Sequence, residues 1–285
     1  MVLYRSTIQL LRFHFSLFLM PVYWFALSQV VQPDAGRAIL IFFILHGLVY
    51  PSSNGFNSYM DRDQGPVGGI KNPMLPTPQL LQVSLVMDFL AILLGFWISI
   101  WFVLATGLYI MASRLYSARS VRLKKYPVAG YLTVVLCQGA LVFFMVWHGV
   151  HPRLSLHVPV PGMLAATLLI GGFYPLTQVY QHEADKNDGV RTLSALLGKR
   201  GTFIYCGIVY AAAFMVLAYF MISSLEIKEF LLLSTCMLPI LVYFIMWAVK
   251  VWRSPDSADF KHTMRMNIVA SCCTSVGFIL VLLMQ

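Results

Sequence analysis

Two short acidic stretches contain most of the chemistry that the sequence offers. The first covers residues 57–65 and the second covers residues 178–189, and each follows a long apolar run. Together they hold five of the 11 carboxylate side chains in the chain. Carboxylate and amide oxygens suit Mg²⁺, which commonly keeps water ligands and is shared with substrate phosphates. The two stretches therefore indicate a site for a divalent cation or for a phosphate-bearing ligand.

The spacing within each stretch favours a shared ligand. Asn57 and Asp61 are four residues apart, so on a helix they lie on one face, a single turn apart. Gln181 and Asp185 have the same spacing. A divalent ion between such groups and a diphosphate would stabilise charge on the departing oxygens. The alternative is that these carboxylates are solvated and pair with neighbouring Lys or Arg.

Basic side chains near both stretches would complement a phosphate. Lys71 follows the first stretch, Arg191 follows the second, and Arg122 and Lys124 lie in a basic loop between them. A guanidinium suits bidentate contact with phosphate, and an ammonium acts as a point charge. The alternative is that these residues only face lipid headgroups.

The elements that carry these stretches are predicted to be membrane helices. Hydrophobic residues make up 59% of the 285 residues and charged residues 11%, which excludes an ordinary soluble domain. Runs of about 20 apolar residues, the length that crosses a bilayer as a helix, recur from end to end. We predict an all-α bundle of nine transmembrane helices at 14–31, 37–56, 79–96, 98–115, 127–149, 161–181, 202–223, 229–250 and 265–284. The break between the third and the fourth is inferred from length alone.

The basic residues predict the orientation of this bundle, because Lys and Arg concentrate in cytoplasmic loops. If the N-terminus and the loops after helices 2, 4, 6 and 8 share one side, that side holds all but three of the 20 Lys and Arg residues. The exceptions are Arg37, Arg153 and Lys228. We therefore expect a cytoplasmic N-terminus and both acidic stretches on the cytoplasmic side. The net charge of +9 then indicates topology and contact with membrane lipid, and not nucleic-acid binding.

Three smaller features complete the organisation. Residues 1–285 are expected to form one membrane domain, since no long polar linker interrupts the helices. Residues 1–13 resemble a short interfacial helix. Asp88 lies inside the third predicted helix, where a charge is costly, so it is either functional or a protonated acid that is hydrogen-bonded to a neighbouring helix.

These residues resemble the UbiA superfamily of intramembrane prenyltransferases. Residues 57–65, N-S-Y-M-D-R-D-Q-G, are similar to the family motif N-D-x-x-D-x-x-x-D. Residues 181–189, Q-H-E-A-D-K-N-D-G, followed by Thr192-Leu193 and Leu197-Gly198, are similar to the second motif, D-x-x-x-D-x-x-x-G with its Thr-Leu and Leu-Gly. Tyr116 and the Arg122-Leu-Lys124 segment look like the family's sequence after helix 4.

The resemblance implies a Mg²⁺-dependent enzyme in a bacterial inner membrane. It would transfer a prenyl group from an isoprenyl diphosphate to an aromatic or other lipophilic acceptor. By motif position the implied catalytic residues are Asn57, Asp61 and Asp185. The candidate metal ligands are Asp61, Asp63, Gln181, Asp185 and Asp188. The candidate diphosphate ligands are Arg12, Lys71, Tyr116, Arg122, Lys124 and Arg191.

The sequence also departs from the family pattern. Ser58, Gly65 and Gln181 stand where the motifs have acids. Acidic residues within about one turn could substitute for them, namely Asp63, Glu183 and Asp188. Two other functions therefore stay open. One is a non-catalytic member that binds isoprenoid lipid, and the other is a transporter or channel, which would need more polar residues along its helices than Asp88.

Overall fold

The computed structural model describes residues 2–224 and 226–284. Within this part of the chain nine helices are long and apolar enough to cross a membrane, and no β-strand is present. We number these helices spans 1 to 9, and they cover Arg5–Leu27, Ala35–Asp61, Pro78–Gly95, Ile100–Ser117, Pro127–Val150, Val160–Gln178, Leu193–Ser223, Ile227–Arg253 and Phe260–Leu283. The predicted all-α bundle is confirmed. The inferred break between spans 3 and 4 is present, and Ser99 caps span 4 by accepting a hydrogen bond from the Phe102 amide at 3.0 Å.

The N-terminal residues are packed into the bundle. A short helix, Arg5–Leu10, occurs within the segment for which an interfacial helix was predicted. Its Thr7 and Leu10 are buried, and Thr7 Oγ1 donates to Gln79 Oε1 of span 3 at 2.9 Å. Span 1 therefore begins nine residues before the predicted position 14, because polar contacts with span 3 hold this segment inside the protein.

Span 7 also begins earlier than predicted, at Leu193 and not at residue 202. Thr192 caps it by accepting from the Ala195 amide at 3.2 Å. The helix then bends at Gly198, whose φ of 69° lies in the region that favours glycine. The charged residues after this bend gave the segment the composition of a loop.

Several spans contain irregular turns that alter which side chains face inward. Spans 2 and 5 contain π-helical turns at Phe43–Val49 and Leu136–Leu141. Spans 1 and 6 contain 3-10 turns at Phe13–Leu19 and Tyr174–Gln178. The α-helical parts of these four spans are Arg5–Leu10, Met20–Leu27, Ala35–Phe42, Tyr50–Asp61, Pro127–Val135, Val142–Val150 and Val160–Phe173. Shorter helices lie at Leu123–Lys125, His182–Asn187 and Pro255–Ser257.

The core of the bundle is aromatic and closely packed. Phe25 of span 1 stacks on Phe278 of span 9, with ring centroids 4.5 Å apart, and meets Phe143 of span 5 edge to face at 5.0 Å. Spans 5 and 6 approach backbone to backbone, since a Cβ added at Gly139 would lie 2.5 Å from the Thr167 Cα. These contacts fix the spans that surround the cavity described below.

The charge within span 3 is paired inside the bundle. Asp88 forms an ion pair with Arg114 of span 4 and accepts a hydrogen bond from Ser52 of span 2. Arg114 also lies over the Phe56 ring, 4.2 Å from its centroid. Asp88 thus bonds to neighbouring helices and ties spans 2, 3 and 4 together, but through an ion pair with Arg114 and not as the protonated acid of the predicted alternative.

Candidate active site

A cavity of about 640 Å³ lies at the end of the bundle that carries both acidic stretches. Its outer part is lined by the ends of spans 2 and 6 and by the loops that follow them. Its inner part is lined by spans 4 and 5, where Tyr109, Val134 and Cys137 contribute. Tyr109 lies two helical turns before Tyr116, which places it about 10 Å deeper along span 4. The cavity is therefore charged at one end and largely aromatic and apolar at the other.

The first acidic stretch is held by the protein's own cations. The Asp61 side chain is 5% exposed, contacts Lys124 Nζ, and has its Oδ1 3.5 Å from Arg122 Nη2. Asn57, one turn earlier, accepts a hydrogen bond from Arg12 Nη2 at 3.3 Å and donates to Ser117 Oγ at 3.0 Å. The charge on Asp61 is therefore compensated before any ligand binds.

The second acidic stretch forms a short helix, His182–Asn187, beside the cavity. The pKa of Asp185 is raised to about 7, chiefly by burial, with Lys124 opposing the shift and the nearby Asp63 carboxylate adding to it. Asp188 at the end of this helix forms an ion pair with Arg122. Arg122 thus contacts both acidic stretches.

The loop after span 2 folds over Arg12. Val67 and Ile70 exchange backbone hydrogen bonds of 2.9 and 2.8 Å, which makes a tight turn. Gly68 within it has a φ of 43°, and a Cβ there would lie 1.9 Å from Arg12 Nη1. Gln181 Nε2 joins the loop to the second acidic stretch by donating to the Pro66 carbonyl at 3.4 Å. The loop therefore requires glycine at position 68, where it covers the Arg12 guanidinium.

Four residues that line the cavity each have a side-chain oxygen without a hydrogen bond to any described residue. These oxygens are buried, and we call them the open oxygens: Asp61 Oδ1, Asp63 Oδ2, Gln178 Oε1 and Asp185 Oδ2. Burial also raises the pKa of Asp63, with Asp61 nearby. Among the residues that the structure describes, no three His, Cys, Asp or Glu side chains gather closely enough to hold an ion alone. The donor set fits Mg²⁺, which takes few carboxylates and completes its shell with water and phosphate oxygens.

The predicted diphosphate ligands divide into two groups. Arg12, Tyr116 and Lys124 line the cavity, and Arg122 lies just behind its wall in contact with Asp61 and Asp188. Lys71 and Arg191 are exposed and lie outside the lining, as does the exposed Glu183. A role in binding diphosphate stays a prediction for all of these basic residues, with less support for Lys71 and Arg191.

Several lining residues escaped the sequence analysis. Ser53 and Ser113 face each other across spans 2 and 4, with their hydroxyls 2.5 Å apart. Gln138 of span 5 and Asn267 of span 9 also line the cavity. The available signal was a polar residue within an apolar run, which marks functional positions in membrane proteins.

Comparisons with known proteins agree with this architecture. The chain matches the UbiA prenyltransferase family over residues 18–269. No curated protein sequence matches the chain. Among solved structures, a UbiA homolog from Archaeoglobus fulgidus bound to DMAPP and Mg²⁺ is 20% identical, with a TM-score of 0.70, over 97% of this chain and 99% of that chain.

Two further solved structures share the fold. An apo UbiA homolog from Aeropyrum pernix K1 is 16% identical, with a TM-score of 0.69, over 94% of this chain and 98% of its own. A structure of a digeranylgeranylglyceryl phosphate synthase is 17% identical, with a TM-score of 0.63, over 99% of each chain. At these identities the likeness establishes the arrangement of the helices.

Proposed function

The chain belongs to the UbiA prenyltransferase family, and from this premise we propose that it transfers a prenyl group from an isoprenyl diphosphate to an aromatic or other lipophilic acceptor, with Mg²⁺ as cofactor. Structures of UbiA homologs from Archaeoglobus fulgidus bound to Mg²⁺ with DMAPP or with GPP support this donor and this metal. The protein is a multi-pass integral membrane protein. We propose further that its acidic stretches face the cytoplasm, because the loops on that side are basic.

One observation carries the proposal: the four residues with open oxygens and two cations line the same cavity, whose inner part includes Tyr109, Val134 and Cys137. An isoprenyl diphosphate has a matching division, with a multiply charged head and a hydrocarbon tail. Arg12 and Lys124, which line the cavity, would bind diphosphate oxygens. The tail would extend past Tyr109 and Cys137, where burial of apolar surface favours it.

The acidic residues would hold the metal through the open oxygens of Asp61, Asp63 and Asp185, with Gln178 as a neutral donor. Bound Mg²⁺ supplies Lewis-acid assistance to the departing diphosphate oxygens. Lys124 adds positive charge where negative charge develops, and Arg122 holds the two acidic stretches at a fixed separation.

In this reaction the C–O bond to the diphosphate breaks and the allylic carbon bonds to the acceptor, which gives up a proton. The aromatic rings of Tyr109, Tyr116 and Tyr174 on the cavity wall would favour positive charge on the allyl group.

Release of pyrophosphate from geranyl diphosphate, in the presence of Mg²⁺ and a panel of lipophilic acceptors, tests the proposal. We expect release that depends on Mg²⁺ and that falls at least about 100-fold in Asp185→Ala. Asp256→Ala is the matched control, because its carboxylate is 98% exposed and lies away from the cavity. A transporter would release no pyrophosphate, and a lipid-binding member would bind geranyl diphosphate without cleaving it. Mass spectrometry of lipid that copurifies with the protein would identify the acceptor class.

A further inference from the structure

Asn267 of span 9 is a polar side chain that the proposed mechanism does not use. It is 1% exposed and lines the inner part of the cavity. Neither its Oδ1 nor its Nδ2 has a hydrogen-bond partner in the described part of the chain. Buried amides are almost always hydrogen-bonded, because an unmade bond costs the full desolvation of the group. A residue that lines a cavity and whose amide has neither end hydrogen-bonded points to a ligand that satisfies it.

The surroundings of Asn267 distinguish it from the diphosphate site. The neighbouring lining residue on its helix is Met264, one turn earlier. The amide has no charge, whereas Arg12 and Lys124 already provide cations for a diphosphate. A neutral polar group therefore suits this amide better than a phosphate does.

The same face of span 9 continues into an apolar region. Ser271 and Thr274 follow Asn267 at four and seven residues, so the three share one face of the helix. Both line a second cavity of about 50 Å³ together with Phe18, Phe173 and Tyr210. Ser271 lies against span 1, since its hydroxyl donates to the Phe18 carbonyl at 3.5 Å. A molecule with a polar group at Asn267 would have apolar walls beside it.

We propose that Asn267 binds the polar group of the acceptor and selects a neutral hydroxyl, as in a phenol or an alcohol. The proposal rests on the proposed function and adds a specificity-determining residue to it. A hydroxyl can donate a hydrogen bond to Asn267 Oδ1 and can accept one from Asn267 Nδ2, so it offers both kinds of bond that the amide lacks. An ether or a carboxylate can only accept and would leave an amide oxygen without a donor.

The test compares 4-nonylphenol with its methyl ether, 4-nonylanisole, as probes bound to the purified full-length protein in detergent. We expect wild type to bind the phenol roughly tenfold more tightly than the ether, as one buried hydrogen bond predicts. Asn267→Leu should bind both probes equally. Thr235→Leu, on the exposed face of span 8, is the control and should keep the wild-type preference.

Binding of geranyl diphosphate with Mg²⁺, measured on the same samples, separates this inference from the proposed function. Normal diphosphate binding with equal affinity of wild type for the two probes would overturn the inference and leave the proposed function standing. Retention of the phenol preference by Asn267→Leu would also overturn it. Absence of diphosphate binding in wild type would instead reject the proposed function on which the inference rests. If Asn267→Leu does not fold, the two probes on wild type and the smaller change Asn267→Ala decide the matter.

Discussion

The two acidic stretches occupy equivalent places at the ends of spans 2 and 6, yet their carboxylates are in opposite electrostatic states. Asp61 in the first is buried between Lys124 and Arg122. Asp185 in the second has an open oxygen and a pKa raised to about 7 by burial. Asp61 is neutralised by neighbouring cations, whereas Asp185 has no ion-pair partner among the described residues.

This difference indicates which carboxylate stabilises the folded state and which one destabilises it. A buried ion pair stabilises a fold only as long as both partners remain, because removing one leaves a buried charge. A buried carboxylate with no such partner instead destabilises the folded state until a proton or a cation arrives. Asp61 should therefore matter to both stability and activity, and Asp185 mainly to activity.

The most severe test of the comparison replaces each carboxylate by alanine. Both Asp61→Ala and Asp185→Ala should lose at least about 100-fold in prenyl transfer, since each removes a proposed metal ligand. Only Asp61→Ala should also lower the free energy of unfolding, by about 3–5 kcal/mol, because Lys124 and Arg122 lose a buried partner. Thermal unfolding in detergent, beside an activity assay, measures both effects. Equal loss of stability in the two variants would contradict the comparison.

A second test adds a carboxylate where the first stretch departs from the family pattern. Gly65 lines the cavity, and a Cβ built there meets no heavy atom of the described chain within 4 Å. We expect Gly65→Asp to fold and to lower the Mg²⁺ concentration for half-maximal activity about tenfold, by supplying another oxygen ligand. Gly65→Asn controls for side-chain size and should change the Mg²⁺ requirement less. An unchanged requirement in Gly65→Asp would show that the extra acid does not reach the metal.

A third test uses pH on the metal-free protein. The folded state holds a proton on Asp185 up to about pH 7, whereas the ordinary pKa of this side chain is 3.8. The folded state therefore binds the proton more tightly than the unfolded state does. The stability that protonated Asp185 contributes is present at low pH. It is lost as the pH rises from the ordinary pKa to the pKa in the folded state. In EDTA, Asp185→Asn should unfold at about the wild-type temperature near pH 4 and roughly 2–5 °C higher at pH 8. If the difference in unfolding temperature between Asp185→Asn and wild type does not change with pH, the pKa of Asp185 is not raised in the folded state.

The smallest effects are expected at the exposed basic residues. Lys71 and Arg191 lie outside the cavity lining, where water and salt screen their charges. Lys71→Ala and Arg191→Ala should each change KM for geranyl diphosphate by less than about threefold. Lys124→Ala, measured beside them, should raise it by tenfold or more. A large effect at either exposed residue would mean that its loop closes over the diphosphate.

The sequence predicted the fold well because membrane helices depend on a simple property. A run of about 20 apolar residues must form a helix in lipid, so length and hydropathy alone locate the spans. The ends of the spans were less predictable, because they depend on contacts between residues that are far apart in the sequence. Arg5 and Arg12 gave the first 13 residues the composition of an interfacial helix, yet Arg12 is buried through its hydrogen bonds to span 2, to Asn54 and Asn57.

Part of the candidate site could also be predicted from the sequence. The spacing of Asn57, Asp61 and Asp185 indicated the acidic stretches, and all three line the cavity. Sequence could not indicate that Asp61 is paired and Asp185 is not, because Lys124 and Arg122 come from a different loop. Asn267 gave only the weak signal of a polar residue near the start of an apolar run.

The π-helical turn in span 5 determines which way the side chains before and after it point. Before and within this turn, Thr133 and Cys137 face the cavity, and after it Phe143 and Val146 face the core. A π-helical turn carries one residue more than the α-helical path, and each residue rotates a helix by about 100°. If Leu136–Leu141 followed the α-helical path with the same sequence, the residues after it would be rotated by about 100°, and either the cavity face or the core face would turn away from its partners. The π-helical turn of span 5 is therefore as much a part of the site as the side chains that the span presents.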